Sequence, residues 1–329
     1  MLVLSRAETE SLLDLDDLRR EVAAAMVEVS EGRVSMPVRT AATVPEHGGL
    51  LGVMPAYLPG MGSLMAKLVS VFPRNAGAGL PTHQAVVLVF DPTDGRPLAL
   101  LDGTSITAAR TAAGSALSTE LCARADARVL AILGTGVQAR SHATAVSRVR
   151  KFTQVRVAGR DPTKVEALVR EVGGELPGVE VSAAVSLAAA CRGADVVCAA
   201  THAVEPVVLR QNLDPGVHVC SVGLNPMGRE VDSATVASAR VIVESRAAAL
   251  APAPAGCNDL RVPIEEGVIG PDHVQAEIGE LVAGSRPGRT SPEQITLYKS
   301  VGVAAQDAAA ANLVLLAARA AHIGLEVEV

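Results

Sequence analysis

One stretch, residues 127–140 (ARVLAILGTGVQAR), constrains the fold of this chain more than any other. An apolar run ends at Gly134-Thr135-Gly136 and is followed by residues that favour a helix. A strand, a tight glycine turn and a helix in this order direct backbone N–H groups toward the pyrophosphate of a dinucleotide. The pattern Gly134-x-Gly136-x-x-Ala139 is common in α/β domains, so it predicts such a site only when its flanks also alternate strand and helix.

The flanks do alternate, from residue 127 to residue 245. The predicted strands are residues 128–133, 154–158, 179–183, 195–200, 218–222 and 240–244, and the predicted helices are residues 137–149, 162–172 and 187–192. Repeated βα units of this length build a doubly wound parallel sheet. The sequence therefore predicts an α/β Rossmann domain.

Other segments have different patterns. Apolar residues at helical spacing predict a helix over residues 11–31, and two strands joined by the turn PTDG are predicted at residues 85–91 and 96–103. Residues 106–124 are rich in Ala and Leu and predict a helix that leads into the glycine turn. Residues 247–263 are predicted to form a loop, and residues 296–324 a long Ala-rich helix that packs against the N-terminal half.

Composition excludes several classes of protein. The 329 residues are 49% apolar with a net charge of −6, enough for about two domains. The acidic balance and the small number of aromatic residues (three Phe, two Tyr, no Trp) argue against a nucleic-acid partner. No run approaches the ~18 apolar residues of a membrane span, and charge follows the N-terminus too soon for a secretory signal.

The five cysteines are scattered and form no C-x-x-C pair. Scattered thiols are typical of buried packing residues in a reducing compartment. We therefore expect a cytoplasmic protein without a metal site.

The end of the second Rossmann strand bears on the choice of cofactor. An NAD-selective fold places a carboxylate there, against the ribose 2′-hydroxyl. Here Gly159 and Arg160 occupy the strand end, and Asp161 and Lys164 follow. A guanidinium at this point suits a 2′-phosphate, so the sequence favours NADPH, with NADH possible. Alternatively Asp161 caps the next helix and Arg160 is simply solvated; an Asp161 turned inward to the ribose would favour NAD.

Two later strand ends also carry polar residues. Thr201-His202 follows the fourth strand, and residues 221–225 (SVGLN) follow the fifth. Ligands of open α/β sheets bind at the carboxyl ends of the strands. His202 is either near the nicotinamide ribose or an ordinary surface histidine.

Three of the cations upstream of the glycine turn stand out: Arg39, Lys67 and Arg110. Each stands among apolar or small residues. One such cation alone fits a surface residue whose stem covers apolar area. Three of them, on segments that would line one cleft, suit a small carboxylate substrate.

These residues belong to a longer ordered set of motifs. The set comprises Arg39, Met54-Pro55, Lys67, Gly79-Leu80-Pro81, the LLDG–RTAAGSALST block at residues 100–119, Gly134-Thr135-Gly136, Val222-Gly223, Glu230-Val231-Asp232 and Lys299-Ser300-Val301-Gly302. The RTAAGSA block and the Ser-Val-Gly segment are much more specific than the glycine turn. Over essentially its full length the chain resembles the ornithine cyclodeaminase/mu-crystallin family.

The resemblance implies a Rossmann domain (residues 119–299) inserted into an α+β substrate domain (residues 1–118 and 300–329) that forms a homodimer through its β-sheet. It also implies that Arg39, Lys67 and Arg110 hold the substrate carboxylate. Thr82, Thr111 and Ser300 match positions that border the cofactor. The predicted cofactor-binding residues are Thr82, Arg110, Thr111, Gly134, Gly136, Val137, Gln138, Gly159, Arg160, Asp161, Lys164, Thr201, His202, Val222 and Ser300.

Members of the family exchange a hydride at the carbon between a carboxylate and a nitrogen. The cyclodeaminase branch carries a glutamate before Met-Pro and an aspartate after Val-Gly, where this chain has Gly52 and Asn225. Asn225 can hydrogen-bond a substrate nitrogen but cannot act as a base. We therefore expect NAD(P)H-dependent reduction of a cyclic ketimine carboxylate, Δ1-pyrroline-2-carboxylate or Δ1-piperideine-2-carboxylate, to proline or pipecolate.

Lys67 and Asn225 are the predicted catalytic residues. A protonated imine accepts hydride more readily than a neutral one, so Lys67 is the candidate to supply or relay the proton, with water as the alternative. Three other functions stay open at this point: an alanine-type amino-acid dehydrogenase, a cyclodeaminase in which Glu46 or Glu230 replaces the missing acids, and a non-catalytic, crystallin-like binding protein.

Overall fold

The computed structural model describes residues 1–252 and 255–328. The chain forms two compact units. The terminal unit comprises Met1–Arg110 and Val303–Val329, and the central unit comprises Thr111–Gly302. The terminal unit contains a mostly antiparallel sheet and the central unit a parallel one, which confirms the predicted α/β class.

The first part of the terminal unit is built on a hairpin-rich sheet. Its elements are β1 (Leu2–Val3), α1 (Arg6–Ser11), α2 (Leu15–Ser30), β2 (Thr40–Val44), β3 (Gly49–Leu58), β4 (Ser63–Val71), β5 (His83–Phe90), β6 (Pro97–Asp102) and α3 (Gly103–Cys122). Helix α2 begins later than predicted because Asp14 caps it, its side chain accepting from two backbone N–H groups of the first turn. Strands β5 and β6 form the predicted hairpin. The first segment of this compact unit ends at Arg110, whereas the sequence placed the domain boundary after residue 118. Helix α3 runs through both positions, so the exact boundary stays a prediction.

The central unit alternates strands and helices. Its elements are β7 (Val129–Leu133), α4 (Val137–Ser147), β8 (Gln154–Ala158), α5 (Pro162–Glu175), β9 (Glu180–Ala183), α6 (Leu187–Cys191), β10 (Val196–Ala199), β11 (His218–Ser221), α7 (Ser233–Ser238), β12 (Ala239–Val243), α8 (Arg246–Ala249), α9 (Asn258–Glu265), β13 (Val274–Glu277), α10 (Ile278–Val282) and β14 (Ile295–Lys299). The strands and helices predicted between residues 127 and 245 are all present, with ends shifted by a few residues.

The parallel sheet of the central unit has the order β13-β12-β14-β11-β10-β7-β8-β9. The chain lays down β7, β8 and β9 in one direction and then returns to place β10 on the other side of β7. This reversal creates the crevice in which doubly wound sheets bind ligands. Strands β10 and β11 are buried throughout, as parallel strands covered on both faces must be.

The chain ends with α11 (Ala304–Ala321) and β15 (Leu325–Glu326), which complete the terminal unit. Its sheet has the order β15-β1-β6-β5-β4-β3-β2, with β1 parallel to β6 and the other neighbours antiparallel. Helix α11 packs on α2 and on β3, β4 and β5, so it covers one face of the sheet. The predicted packing of the C-terminal helix on the N-terminal half is confirmed.

Two predictions about secondary structure were wrong. The single helix over residues 296–324 is instead β14 followed by α11, because residues 295–299 pair between β11 and β12 in the buried sheet. The predicted loop at residues 247–263 contains parts of α8 and α9, and its residues 253–254 lie outside the described residues. In the first case long-range strand pairing overrides a local helical composition.

Candidate active site

The glycine turn has the geometry that a dinucleotide requires. Gly134 adopts φ +119°, and a Cβ there would lie 2.4 Å from the carbonyl oxygen of Ala200, so only glycine fits. A Cβ on Gly136 would meet nothing within 4 Å, which leaves the backbone open to a ligand. Gly136 is the N-cap of α4, and the first N–H groups of an α-helix point out of its N-terminus. The turn therefore fits a dinucleotide pyrophosphate.

At the end of β8, Asp161 makes the helix cap that the sequence offered as one interpretation, and its predicted role in cofactor binding stays a prediction. Its carboxylate accepts from the N–H groups of Thr163 at 3.0 Å and Lys164 at 3.3 Å, which confirms that it caps α5. Arg160 is exposed at the strand end. A Cβ on Gly159 would lie 2.8 Å from the Thr135 side chain, so the glycine allows the two loops to pack closely.

A carboxylate that the sequence did not identify as central, Glu230, joins the loops after β10 and β11. It is 2% exposed and accepts four hydrogen bonds. Two come from the N–H and hydroxyl of Thr201, at 2.6 and 2.7 Å, and two from the Ser221 hydroxyl and the Gly223 N–H, at 2.8 and 2.7 Å. Glu230 thus holds two predicted ligand-binding loops by hydrogen bonds to a charged group, which are stronger than neutral ones.

Lys299 extends this network beneath the same loops. Its buried ammonium donates to the Gly223 carbonyl at 2.6 Å and to the Ser221 hydroxyl at 3.1 Å, and pairs with Asp259 at 3.0 Å. Burial alone would lower the pKa of Lys299, but the Asp259 carboxylate raises it above its ordinary value. Lys299 therefore stays an ammonium that ties the end of β14 to the loop after β11.

Ser300 and Asn225 also have protein partners in the central unit. The Ser300 hydroxyl donates to Glu244 at 2.6 Å, and the same carboxylate accepts from the Val301 N–H at 2.7 Å. The Asn225 amide donates to the Ala203 carbonyl at 2.9 Å, and its oxygen accepts from the Met227 N–H at 2.9 Å. The Asn225 side chain thus orders its loop, and its predicted catalytic role stays a prediction.

The remaining residues that are predicted to bind the cofactor differ in their exposure to solvent. His202 is exposed, and Val222 is half-buried with its N–H donating to the Ala199 carbonyl at 3.0 Å. Thr111 is buried in the part of α3 that belongs to the central unit. Thr82 belongs to the terminal unit, where its hydroxyl lies 3.1 Å from His83 Nδ1.

In the terminal unit, two of the three predicted cations meet on one aspartate. Lys67 Nζ lies 2.7 Å from Asp307 Oδ2, and Arg110 Nε lies 3.0 Å from Asp307 Oδ1. Asp307 has no exposed surface, and the two cations are almost fully buried. Lys67 lies on β4 directly opposite Met54 of β3, on the face that α11 covers. The register of two strands and one helix therefore builds the cluster.

The charges in this cluster change one another's pKa values. Burial lowers the pKa of Lys67 to about 8; the Asp307 carboxylate opposes this shift, and the charges of Arg110 and Arg39 add to it. Arg39 is therefore electrostatically coupled to the cluster. Burial alone would raise the pKa of Asp307, but Arg110 and Lys67 hold it below its ordinary value. Asp307 stays ionised, and Lys67 releases its proton more readily than an exposed lysine.

Asp307 and its neighbour Gln306 were not identified from the sequence. Gln306 accepts a hydrogen bond from Arg110 Nη1 at 3.1 Å. The signal was two adjacent polar residues in the otherwise Ala-rich segment VAAQDAAAAN. A carboxylate inside an apolar helix is rarely buried without a charged partner. The adjacent residues Gln306 and Asp307 in this segment therefore indicated a cation elsewhere in the chain.

The fold and the site define a Rossmann-type dinucleotide-binding protein with a second α+β unit that contains a buried cation–carboxylate cluster. The model of the ornithine cyclodeaminase/mu-crystallin family matches residues 1–321. The chain belongs to this family, which confirms the resemblance drawn from its motifs.

Three known proteins illustrate the similarity. The mouse (Mus musculus) protein described as ketimine reductase mu-crystallin is 38% identical over 288 residues, 86% of this chain and 85% of its own length. The structure of Thermococcus litoralis Δ1-pyrroline-2-carboxylate reductase in complex with NADH and L-proline matches with a TM-score of 0.95 and 38% identity, covering 99% of this chain and 100% of that one. An archaeal alanine dehydrogenase dimer with bound NAD matches with a TM-score of 0.91 and 30% identity, covering 100% and 99%.

In residues 1–252 and 255–328, no helix has the length and apolar character to cross a membrane. Nor do His, Cys, Asp and Glu side chains within those ranges gather into a group that could hold a metal ion.

Proposed function

We propose that this chain is an NAD(P)H-dependent reductase of cyclic ketimine carboxylates, which converts Δ1-pyrroline-2-carboxylate or Δ1-piperideine-2-carboxylate to proline or pipecolate. The observation that carries the proposal is the buried cluster of Lys67, Asp307 and Arg110. The names of the mouse relative and of the Thermococcus litoralis reductase support the same chemistry.

The cluster suits a substrate carboxylate. Lys67 and Arg110 share Asp307, the one acid that pairs with them among the described residues, so these three side chains have an excess of positive charge, and Arg39 is electrostatically coupled to them. Binding of a carboxylate relieves this excess through charge-assisted hydrogen bonds. In the proposal Arg39, Lys67 and Arg110 bind and orient the substrate through its carboxylate.

Reduction of the C=N bond also needs a proton on nitrogen. NAD(P)H, when bound, supplies the hydride. Lys67 supplies or relays the proton, because a pKa of about 8 lets its ammonium act as a general acid near neutral pH. Asn225 contributes in the proposal as a residue of the loop after β11, which its side chain orders.

NADPH is the proposed cofactor, with NADH as the alternative. Asp161, the carboxylate nearest the end of β8, is engaged in capping α5. Arg160 is exposed at the same strand end and offers a guanidinium to a 2′-phosphate. In the proposal residues 119–299 bind the cofactor, and residues 1–118 with 300–329 bind the substrate.

A homodimer is proposed to form through the terminal sheet. On the face opposite α11, apolar side chains of neighbouring strands remain partly exposed, among them Leu51 at 43% and Val86 at 38%. They align across the sheet in rows such as Val53, Leu68 and Val86. A contiguous apolar sheet face of this kind is typical of a protein–protein interface. All five cysteines are free and buried, which supports the proposed cytoplasmic location.

An assay tests the proposed reaction directly. Purified protein is mixed with NADPH and each cyclic imine, and loss of the reduced-nicotinamide absorbance is followed. We expect oxidation of NADPH with formation of proline or pipecolate. No oxidation with any imine, together with ammonia release from ornithine and NAD⁺, would overturn the proposal in favour of a cyclodeaminase.

A further inference from the structure

The amide nitrogen of Gln306 is a buried hydrogen-bond donor. Gln306 has no exposed surface, and its Nε2 has no acceptor among the residues that the structure describes. The amide oxygen accepts from Arg110 Nη1 at 3.1 Å. Because the guanidinium only donates, this contact fixes which end of the amide is oxygen and which is nitrogen. A buried N–H without an acceptor is destabilising, so such a group in a native protein calls for an acceptor that the protein itself does not supply.

The surroundings of Gln306 indicate the kind of acceptor. Its amide lies against Arg110, and Arg110 shares Asp307 with Lys67. Within the described ranges, Asp307 and Gln306 engage two of the five N–H donors of the guanidinium. A ligand at this point would meet the remaining N–H donors of Arg110, the Gln306 amide and two positive charges. The group that best satisfies them is an anion with more than one oxygen. A carboxylate has this chemistry.

We propose that Gln306 is a substrate-binding residue, whose Nε2–H donates to the carboxylate of the imino acid. This inference rests on the proposed function, in which three cations bind the substrate carboxylate, and it adds a neutral hydrogen-bond donor to them. Arg110 orients Gln306, and Asp307 orients Arg110 and Lys67. The adjacent pair Gln306-Asp307 in the first turns of α11 thus arranges both the neutral and the charged donors.

Two substitutions with side chains of similar size distinguish two roles of Gln306: donating to the substrate carboxylate, and only accepting a hydrogen bond from Arg110. Gln306→Met removes the donor and the acceptor, whereas Gln306→Glu keeps an acceptor for Arg110 and replaces the donor with a carboxylate oxygen. Binding of L-proline and of pyrrole-2-carboxylate is measured by calorimetry in the presence of saturating NADP⁺. We expect the Kd to rise about tenfold in Gln306→Met, the loss of one hydrogen bond to a charged group, and further in Gln306→Glu. The opposite order, with Gln306→Glu close to the unmodified protein, would overturn the proposal.

Controls distinguish this inference from the proposed function. Asn312→Leu removes a half-buried amide from the same helix and should leave the Kd of L-proline unchanged, and the Kd of NADPH should stay constant in every variant. If the unmodified protein reduces the ketimine and both Gln306 variants bind L-proline normally, only the inference is wrong. If the expected order of Kd values appears without ketimine reduction, the carboxylate contact stands and the proposed reaction is wrong. A protein that binds neither carboxylate contradicts both.

Discussion

Asp307 is the residue on which both buried cations of the terminal unit depend. It bonds Lys67 at 2.7 Å and Arg110 at 3.0 Å, and it is fully buried. Removing one member of a group of buried charges leaves the other charges uncompensated. The resulting loss of stability exceeds the net stabilisation that the intact group provides. Substitution of Asp307 should therefore change the protonation of Lys67 as well as its position.

Asp307→Asn should move the pH dependence of reduction to lower pH. The carboxylate opposes the burial that lowers the pKa of Lys67 to about 8, so without it that pKa falls further. The ammonium that donates the proton exists below the pKa, hence kcat/KM declines as pH rises through it, and the decline should move down by about 1–3 pH units. A pH profile of kcat/KM for ketimine reduction measures this shift.

Asp307→Glu serves as the control, because it keeps the charge and should keep the descending limb near that of the unmodified protein. The ionisation of the imine itself is the same in every variant, so a difference between profiles belongs to the protein. A profile of Asp307→Asn that falls in amplitude without moving along the pH axis would contradict the role of Lys67 as proton donor.

Among the structural elements, the loops that follow β8, β10 and β11 carry several of the residues predicted to bind the cofactor. Short turns at strand ends have few apolar contacts of their own, so buried polar groups hold them in place. Glu230 does so after β10 and β11, and Asp161 caps the helix after β8. The four hydrogen bonds that Glu230 accepts come from both of these loops, so its carboxylate supports them.

Glu230→Ala should weaken both the fold and cofactor binding. The change leaves the N–H groups of Thr201 and Gly223 without their acceptor and leaves Lys299 with one fewer neighbouring carboxylate. We expect a loss of about 3 kcal/mol in the free energy of unfolding, measured by urea denaturation, and a higher Kd for NADPH. Glu205→Ala, at an exposed glutamate of the loop after β10, should leave both unchanged. Equal behaviour of the two variants would contradict the supporting role.

Arg160→Ser should reduce the preference for NADPH. The substitution removes a guanidinium from the end of β8 without touching the cap that Asp161 makes. We expect the KM for NADPH to rise about tenfold or more and the KM for NADH to stay constant, because only NADPH carries the 2′-phosphate. Arg170→Ser, at an exposed arginine further along α5, is the matched control. A parallel rise for both cofactors would show that Arg160 does not recognise the phosphate.

For the molecule as a whole, the face of the terminal sheet opposite α11 is the surface through which the proposed homodimer would form. Helix α11 covers one face of this sheet, and the other face presents rows of partly exposed apolar residues. An isolated chain would keep this surface in water at a cost that association removes. The sheet thus has the properties that the proposed homodimer requires.

Leu51→Glu combined with Val86→Glu should convert the dimer to a monomer. Two charges on each copy would be buried unpaired at the interface, whereas both side chains are exposed within one chain and the fold should persist. Sedimentation equilibrium gives the mass, and circular dichroism confirms that the variant is folded. Val185→Glu, at a residue 97% exposed in the central unit, should remain dimeric. A monomeric unmodified protein, or a dimeric double variant, would contradict this interface.

Much of the fold followed from local pattern, and much of the site did not. The βα alternation, the glycine turn and the β5–β6 hairpin depend on short-range periodicity and turn sterics. Residues 296–299 were predicted as helix because nothing nearby in the sequence shows that they pair between β11 and β12. Arg39, Lys67 and Arg110 were identified as isolated cations in apolar surroundings, but the acid that joins two of them was not.

The sequence by itself determined the Rossmann class, the family and the chemical types of the site residues. The Rossmann class depends on interactions within about one βα unit, where the φ angle of a glycine or the position of an N-cap can be inferred from adjacent residues. Only the tertiary structure decided that Asp307 pairs with Lys67, 240 residues earlier in the chain, and that Glu230 links the ends of two strands. The physical reason is that buried charges must find partners in space, and sequence distance does not restrict which partner the fold brings to them.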